Sequence, residues 1–283
     1  MLEYSTDAST WTTWDGTTTL SSATKGSSNV LYLRGIGNSV ITGSINYRWL
    51  LTGSDIKCIG NIENLLDYAA VEAGNHPTMA DYCYSRMFQY CTALTQAPSL
   101  PATTLANYCY SWMFSRCTSI TQTPALPATT LAEGCYYGMF YGTTLTQAPE
   151  LPATTLASQC YQDMFSYCTS LTQAPALPAT TLANQCYQDM FSDCTSLTQA
   201  PALPATTLPS YCYQYMFRGC TSLKLSSTQT GEYTVEYRIP SSGTGTAGIN
   251  SLANMFTSTG GAFKETPKIN TTYYLSNTNT VVS

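Results

Sequence analysis

The sequence has 283 residues, of which only 10% are charged, and its formal net charge is -5. It contains no basic run, which argues against a nucleic-acid partner, and no apolar stretch is long enough for membrane insertion. The Met-Leu-Glu start lacks the basic and apolar regions of a secretory signal, so no signal peptide is visible. We take this start as uninformative about the compartment.

Residues 1–57 are rich in Ser, Thr, Gly and aromatic residues. Alternating apolar and polar residues at 30–34 and 45–51 predict β-strands joined by turns, and thus an N-terminal β-rich domain. Trp11, Trp14 and Trp49 are expected to supply its core or a lid on the repeats that follow. A sugar-binding aromatic platform is the alternative.

Residues 58–76 contain apolar residues at spacings of three and four, from Ile62 to Ala73, which predict a helix. Asn61 is placed to cap its start and Gly74 its end. We interpret this segment as an irregular first rung, and His76 as a turn residue with no catalytic role.

A unit of 26 residues occurs six times in residues 77–223, with one spacing of 25. The pair Met-Phe marks each copy, at Met87, Met113, Met139, Met164, Met190 and Met216. A fixed period of this length indicates a solenoid, in which each unit buries its apolar face against its neighbours.

Each repeat is predicted to contain one helix and one strand. In the second copy the apolar residues lie at offsets 0, 3, 4, 7, 8 and 11, which is typical of an amphipathic helix of about three turns. They are Ala106, Cys109, Tyr110, Met113, Phe114 and Cys117. The segment that follows is bounded by prolines, so it fits a short extended strand.

Eleven of the twelve cysteines recur at two places in the repeat, four residues before and four after the methionine. On a helix these two places are about 12 Å apart, and neighbouring packed helices are about 8–10 Å apart. Both separations exceed the Cα distance of a disulfide, about 7 Å at most. We therefore favour free thiols packed as small apolar side chains. One histidine and no C-x-x-C pair argue against a metal, and no cofactor is expected.

The run from Cys109 through Phe114 and Cys117 to Ile120, followed by a proline-ended strand, resembles the BspA-like leucine-rich repeats. The unit here is longer than that family's common unit and has an extra proline. The resemblance implies an α/β fold: a leucine-rich-repeat solenoid with 26-residue strand-helix rungs. It also implies an adhesin-type protein at a cell surface, secreted or on a virion surface, and not an enzyme.

After residue 223 the period fails, and residues 224–283 are predicted to form a C-terminal cap with a β-hairpin and a degenerate last rung. Alternation at 232–239 predicts a strand. Met255 and Phe256 carry the phase of the repeat, as expected of an end rung that differs from the interior ones.

Six helix offsets vary between the copies and are predicted to point away from the core. Their 36 places hold one Glu, no Lys and no Ala, but eight Tyr. Drift on a solvated helix should favour good helix formers, whereas this composition is typical of a binding surface. The predicted binding residues are Tyr82, Arg86, Tyr90, Tyr108, Trp112, Arg116, Tyr137, Tyr141, Tyr167, Tyr211, Tyr215 and Arg218. The repetitive strand face is the alternative surface.

No Ser/His/Asp set, phosphate loop or calcium loop is present, and Asp163, Asp189 and Asp193 are expected to be exposed. The sequence therefore predicts a monomeric, non-enzymatic binding module for a protein or glycan on a cell surface. A structural spacer or display scaffold, and a receptor-binding module of a phage fibre, stay open as alternatives.

Overall fold

A computed structural model describes residues 1–20, 29–43 and 47–283. The N-terminal part forms an antiparallel sheet of order β2-β1-β3, with β1 at Leu2–Ser5, β2 at Thr12–Trp14 and β3 at Tyr32–Gly35. Strand β3 confirms the alternation at 30–34. The strand predicted at 45–51 begins outside the described residues, and residues 47–51 contain no strand.

A single helix, α1, occurs in the described ranges and spans Asn64–Glu72. The helix predicted between Asn61 and Gly74 is therefore confirmed, although Asp67 interrupts it with non-helical backbone angles. The Asn61 side chain accepts a hydrogen bond from the Glu63 N–H (2.9 Å), and Gly74 ends the segment with a left-handed φ of 78°. No helix in the described part is long and apolar enough to cross a membrane.

The predicted α/β leucine-rich-repeat solenoid of strand-helix rungs is wrong, because the repeats contain no helix. Each predicted helix is instead a chain of turns in which every fourth residue is left-handed. In the first copy the φ angles of Tyr82, Arg86 and Tyr90 are 59°, 59° and 65°. The apolar pairs Cys-Tyr and Met-Phe recur every four residues, so a four-residue turn places them on one side as well as a helix would.

The backbone hydrogen bonds of these turns alternate along the chain. The N–H of Ser85 donates to the Tyr82 carbonyl within its own repeat (3.0 Å). The next N–H, of Arg86, donates to the Ser111 carbonyl of the following repeat (2.8 Å). This alternation continues through all six copies, so half of the N–H groups stabilise the turns and half join neighbouring copies.

The copies lie one upon another as layers, and residues 249–259 continue them with the same turns and interlayer bonds. We call the whole array the turn stack. Its layers are residues 81–91, 107–117, 133–143, 158–168, 184–194, 210–220 and 249–259. Equivalent core rings stack nearly parallel: Phe165 and Phe191 have centroids 5.8 Å apart at 6°. Columns of identical Tyr, Met, Phe and Cys side chains therefore form a continuous core.

Short extended segments complete each repeat. They are β5 at Leu94–Gln96, β6 at Gln199–Pro201, β7 at Thr207–Leu208 and the isolated parallel bridges of intervening repeats. Strands from outside the repeats pair parallel to them: β4 at Ile56–Lys57 with β5, β10 at Thr246–Ala247 with β7, and β13 at Thr280–Val282 with β6. These pairings join the segments before and after the repeats to the short strands of the repeats.

The N-terminal segment caps the first layer. The N–H groups of Ile41 and Trp49 donate to the Cys83 and Met87 carbonyls, as a preceding layer would (2.9 and 2.7 Å). The Trp49 ring meets Phe88 edge-on at 6.3 Å. Trp49 therefore acts as a lid, one of the two roles predicted for the tryptophans.

At the other end a mixed sheet covers the last layer. Its strands are β8 at Lys224–Ser226, β9 at Tyr233–Arg238, β11 at Gly260–Gly261 and β12 at Thr272–Ser276, in the order β11-β8-β12-β9. Strand β9 confirms the alternation at 232–239, and its antiparallel partner is β12. Tyr237 and Phe263 meet the Phe256 ring edge-on at 6.1 and 6.3 Å.

All twelve cysteines have free thiols, and the eleven of the repeats are completely buried. Those after the Met-Phe pair also donate hydrogen bonds: the Cys117 thiol reaches the Phe88 carbonyl of the preceding layer (2.9 Å). In the third layer Thr143 occupies this place, and its hydroxyl donates to the Phe140 carbonyl (2.9 Å). Burial raises the pKa of the Cys135 thiol to about 12, so these thiols are not reactive nucleophiles.

Candidate binding face

The left-handed residues of the turn stack form three columns on the side opposite its core. We call them the outer columns. The first contains Tyr82, Tyr108, Gly134, Gln159, Gln185, Tyr211 and Asn250. The second contains Arg86, Trp112, Gly138, Asp163, Asp189, Tyr215 and Asn254. The third contains Tyr90, Arg116, Gly142, Tyr167, Asp193, Gly219 and Ser258.

The prediction that all six variable offsets point outward is wrong for places that precede the second and third outer columns. Several of these side chains are buried against the turns: Ser85, Gln89, Ser111, Ser115, Gln162, Ser166 and Ser192. The places before the first outer column stay exposed or half-buried, so these places and the outer columns hold most of the surface on which variation is free.

Large side chains in the outer columns occupy a backbone conformation that disfavours them. A non-glycine residue in the left-handed region costs about 1 kcal/mol or more, and glycine or asparagine adopts it most readily. The third layer has glycine at all three positions, Gly134, Gly138 and Gly142, so the fold accepts glycine there. Tyr, Trp and Arg at equivalent positions are thus not required by the turns.

The glycines of the third layer make room for side chains of the second. A Cβ on Gly138 would lie only 2.6 Å from ring atoms Cδ2 and Cε3 of Trp112. A Cβ on Gly134 would overlap the Tyr108 ring in the same way. The rings of Tyr108 and Trp112 therefore lie over a floor of glycine backbone.

Further aromatic side chains surround Trp112. The Tyr137 and Tyr141 ring centroids lie 5.1 and 5.2 Å from the Trp112 ring centroid, and their ring planes are inclined to the Trp112 plane at 60° and 57°. Tyr141 continues to Tyr167 in the fourth layer at 5.3 Å. We call Arg86, Trp112, Arg116, Tyr137, Tyr141 and Tyr167 the aromatic patch.

Arginines border this surface. The guanidinium carbons of Arg86 and Arg116 lie 5.7 and 5.3 Å from the ring centroids of Trp112 and Tyr141. Arg48, from the N-terminal cap, lies 5.2 Å from the Tyr90 ring. Within the described residues none of these three arginines forms an ion pair. Their positive charge is therefore not neutralised by a neighbouring carboxylate.

A pair of tyrosines flanks the aromatic patch in the first outer column. Tyr82 and Tyr108 stack with centroids 5.1 Å apart at 6°. The Tyr108 hydroxyl donates to Glu133 (2.9 Å) and lies 2.7 Å from the Gln159 amide oxygen. Burial, followed by the Glu133 hydrogen bond, raises the pKa of Tyr108 to about 12. This phenol stays neutral at physiological pH.

The fourth to sixth layers are mainly acidic on this face, whereas arginines border the aromatic patch. Arg218 Nη2 lies 3.4 Å from Asp189 and 3.9 Å from Asp193. Burial, followed by the charge of Asp189, raises the pKa of Asp163 to about 7, against the opposing effect of Arg218. The prediction that Asp163, Asp189 and Asp193 are exposed is wrong, because all three are half-buried.

The structure divides the predicted binding residues into two groups. Those from the first four repeats lie around the aromatic patch and the tyrosine pair. Tyr211, Tyr215 and Arg218 lie two layers away, where Arg218 packs on the Tyr215 ring at 4.9 Å. Arg48 and the glycine floor are not among the predicted residues. Gly134, Gly138 and Gly142, spaced four apart, were the signal for the floor.

The groove on the strand side and the His76–Glu63 pair present fewer functional groups than the aromatic patch. An open groove of about 510 Å³ on the strand side is lined by Gln147, Pro149, Glu150, Pro152, Gln173 and Pro175, among others. His76 Nδ1 lies 2.8 Å from the carboxylate of buried Glu63. No group of three or more potential metal ligands occurs in the described ranges.

Comparisons with protein-family models, with curated proteins and with solved structures give no match. The resemblance to BspA-like repeats stays a prediction, and the helices expected with it are absent.

Proposed function

We propose that the chain is a non-enzymatic recognition module whose aromatic patch binds a ligand displayed at a cell surface. One observation carries the proposal: large aromatic and arginine side chains occupy left-handed positions that glycine fills in the third layer. Unfavourable backbone geometry of this kind is retained where the side chain has a role beyond folding.

The composition of the patch supports the same function. Trp, Tyr and Arg are the residues that dominate binding energy at protein interfaces, since they combine large contact area with polar groups. The patch residues are held by mutual ring contacts and by the glycine floor, so little side-chain freedom would be lost on binding. A protein and a glycan both remain in scope for the ligand at this level.

A spacer or display scaffold is the second candidate, and the uniform core favours it. The inner Tyr, Met and Phe columns give each repeat the same core, so the stack can present different outer residues on one frame. The two candidates differ in whether the outer residues of this chain contact a ligand.

The test uses glycine substitutions, which remove side chains without straining the turns. A Tyr82→Gly/Trp112→Gly/Tyr167→Gly variant is compared with the control Gln185→Gly for binding to a panel of bacterial and animal cells. Recognition predicts that the wild type and control bind, whereas the triple variant loses about tenfold or more in affinity. Equal binding by all three proteins, with unchanged unfolding temperatures, contradicts the proposal.

A further inference from the structure

We infer that the ligand of the aromatic patch is an anionic oligosaccharide laid across the first three layers. This inference rests on the proposed recognition function and names its ligand class. The shared chemistry is a chain of sugar rings with carboxylate or sulfate groups.

The shape of the patch fits a sugar ring better than a protein side chain. Trp112 has one face against the backbone of Gly138, and the Arg86 guanidinium carbon lies 5.7 Å from its ring centroid, so a sugar that stacks on this ring also meets Arg86. Tyr137 and Tyr141, inclined to the Trp112 ring by about 60°, flank this platform. A pyranose has an apolar C–H face that stacks on an aromatic ring, and a hydroxyl rim that meets polar groups.

The polar groups around the platform match that rim. Burial raises the pKa of Tyr137 and of Tyr141, so both phenols stay protonated and can donate or accept hydrogen bonds with sugar hydroxyls. The Gln159 amide lies next to the Tyr108 hydroxyl at the border with the first outer column.

The charge distribution selects an anion. Arg86 and Arg116 border the platform, and Arg48 lies on the Tyr90 ring of the first layer; none of the three forms an ion pair in the part of the chain that the structure describes. Guanidinium groups form strong, often bidentate hydrogen bonds with carboxylates and other oxyanions. The chain carries a net charge of -5, so this concentration of unpaired positive charge runs against its overall composition.

Two carboxylates on this half of the face accept hydrogen bonds within the turn stack. Glu133 accepts the Tyr108 hydroxyl at 2.9 Å, and Asp81 accepts the backbone N–H of Asn107 at 3.1 Å. On the far side, Asp163 of the fourth layer and Asp189 of the fifth would repel an anionic chain that extended beyond the third layer. The ligand is thereby confined to the cationic half of the face.

The experiment measures binding of the whole chain to an array of neutral, carboxylated and sulfated oligosaccharides at low and high salt. The variants are Arg86→Gln/Arg116→Gln and Trp112→Gly. The matched controls are Lys264→Gln/Lys268→Gln, which removes the same charge from the C-terminal cap, and Gln185→Gly. The carboxylated and sulfated arms identify which anion is preferred.

The inference predicts binding to anionic oligosaccharides that weakens with salt and exceeds binding to neutral ones by about tenfold or more. The arginine variant should lose this preference, the tryptophan variant should lose all sugar binding, and both controls should bind like the wild type. Equal binding to neutral sugars, or binding to no sugar, overturns the inference.

A cell-binding measurement separates this failure from failure of the proposed function. Cell binding that depends on Trp112 and resists periodate oxidation of glycans indicates a protein ligand: the recognition function then stands and the oligosaccharide is rejected. Cell binding that survives the glycine substitutions rejects both.

Discussion

The inner and outer columns of the turn stack share one backbone but differ in how much they vary. The inner Tyr, Met and Phe are the same in all six repeats and almost completely buried, with equivalent Tyr and Phe rings stacked at 5.6–5.9 Å. At the outer positions, one or two residues away along the chain, the second column holds Arg, Trp, Gly, Asp, Asp and Tyr in successive repeats. The comparison indicates that the core and the interlayer hydrogen bonds specify the fold, which leaves the outer positions available for recognition.

The largest expected effect comes from breaking an inner column. Phe165→Ala removes a buried ring that stacks on Phe140 and Phe191, and should lower the free energy of unfolding by about 3–5 kcal/mol. Chemical denaturation measures this loss against Gln185→Gly, an outer substitution one layer away. A loss below about 1 kcal/mol would show that the ring columns do not hold the layers together.

The floor beneath Trp112 should be the next most sensitive place. Gly138→Ala adds a Cβ 2.6 Å from the Trp112 ring at a left-handed φ of 58°, so it should destabilise the fold by about 1–3 kcal/mol and displace the ring. Gly142→Ala is the matched control, because its Cβ would lie 3.4 Å from Arg116 Cγ, which is ordinary contact. Denaturation and near-ultraviolet circular dichroism measure both effects. Identical behaviour of the two variants would contradict the role assigned to Gly138.

The acidic half should make stability depend on pH through Asp163. The folded pKa of about 7 exceeds the usual value of 3.8, so the folded state holds its proton more tightly than the unfolded state. The contribution of Asp163 to the free energy of unfolding is therefore fully present below about pH 4. It falls as pH rises toward 7, by on the order of 1–2 kcal/mol after allowance for partial exposure. Asp163→Asn should flatten this slope, measured by thermal unfolding from pH 4 to 8. An unchanged slope would assign it to other groups.

The smallest expected change in stability comes from replacing the hydrogen-bonding thiol of a buried cysteine. Cys194→Thr copies Thr143 and keeps a donor, whereas Cys194→Val, which has the shape of threonine, removes the donor to the Phe165 carbonyl. The valine variant should be less stable than the threonine variant by about 0.5–1.5 kcal/mol in denaturation experiments. Greater stability of the valine variant would mean that the thiol contributes only by packing.

Sequence reasoning could find the period, the phase and the buried residues of each repeat, since these depend only on which residues recur. The backbone conformation of the repeats was not predictable in this way. Apolar residues at offsets 3, 4, 7, 8 and 11 fit both a helix and a turn repeated every four residues. Three glycines four apart, and the lack of Ala and Lys at the variable places, disfavour a helix. The shortage of Ala and Lys therefore bears on the backbone as well as on binding.

The candidate site was predictable as a set of residue types but not as an arrangement. That Trp112 lies over Gly138, a residue of the next repeat, follows from the stacking of layers and left-handed backbone at both positions. Arg48 joins the face only because the N-terminal segment folds back on the first layer. Neither relation is visible in local sequence spacing.

The separation of folding from recognition is tested most directly by paired measurements on Trp112→Gly: the free energy of unfolding, and affinity for cells that the wild type binds. The account predicts that stability changes by less than about 1 kcal/mol, because glycine suits this left-handed position, while affinity falls about tenfold or more. Full affinity in the variant, or a loss of stability as large as that of Phe165→Ala, would contradict it.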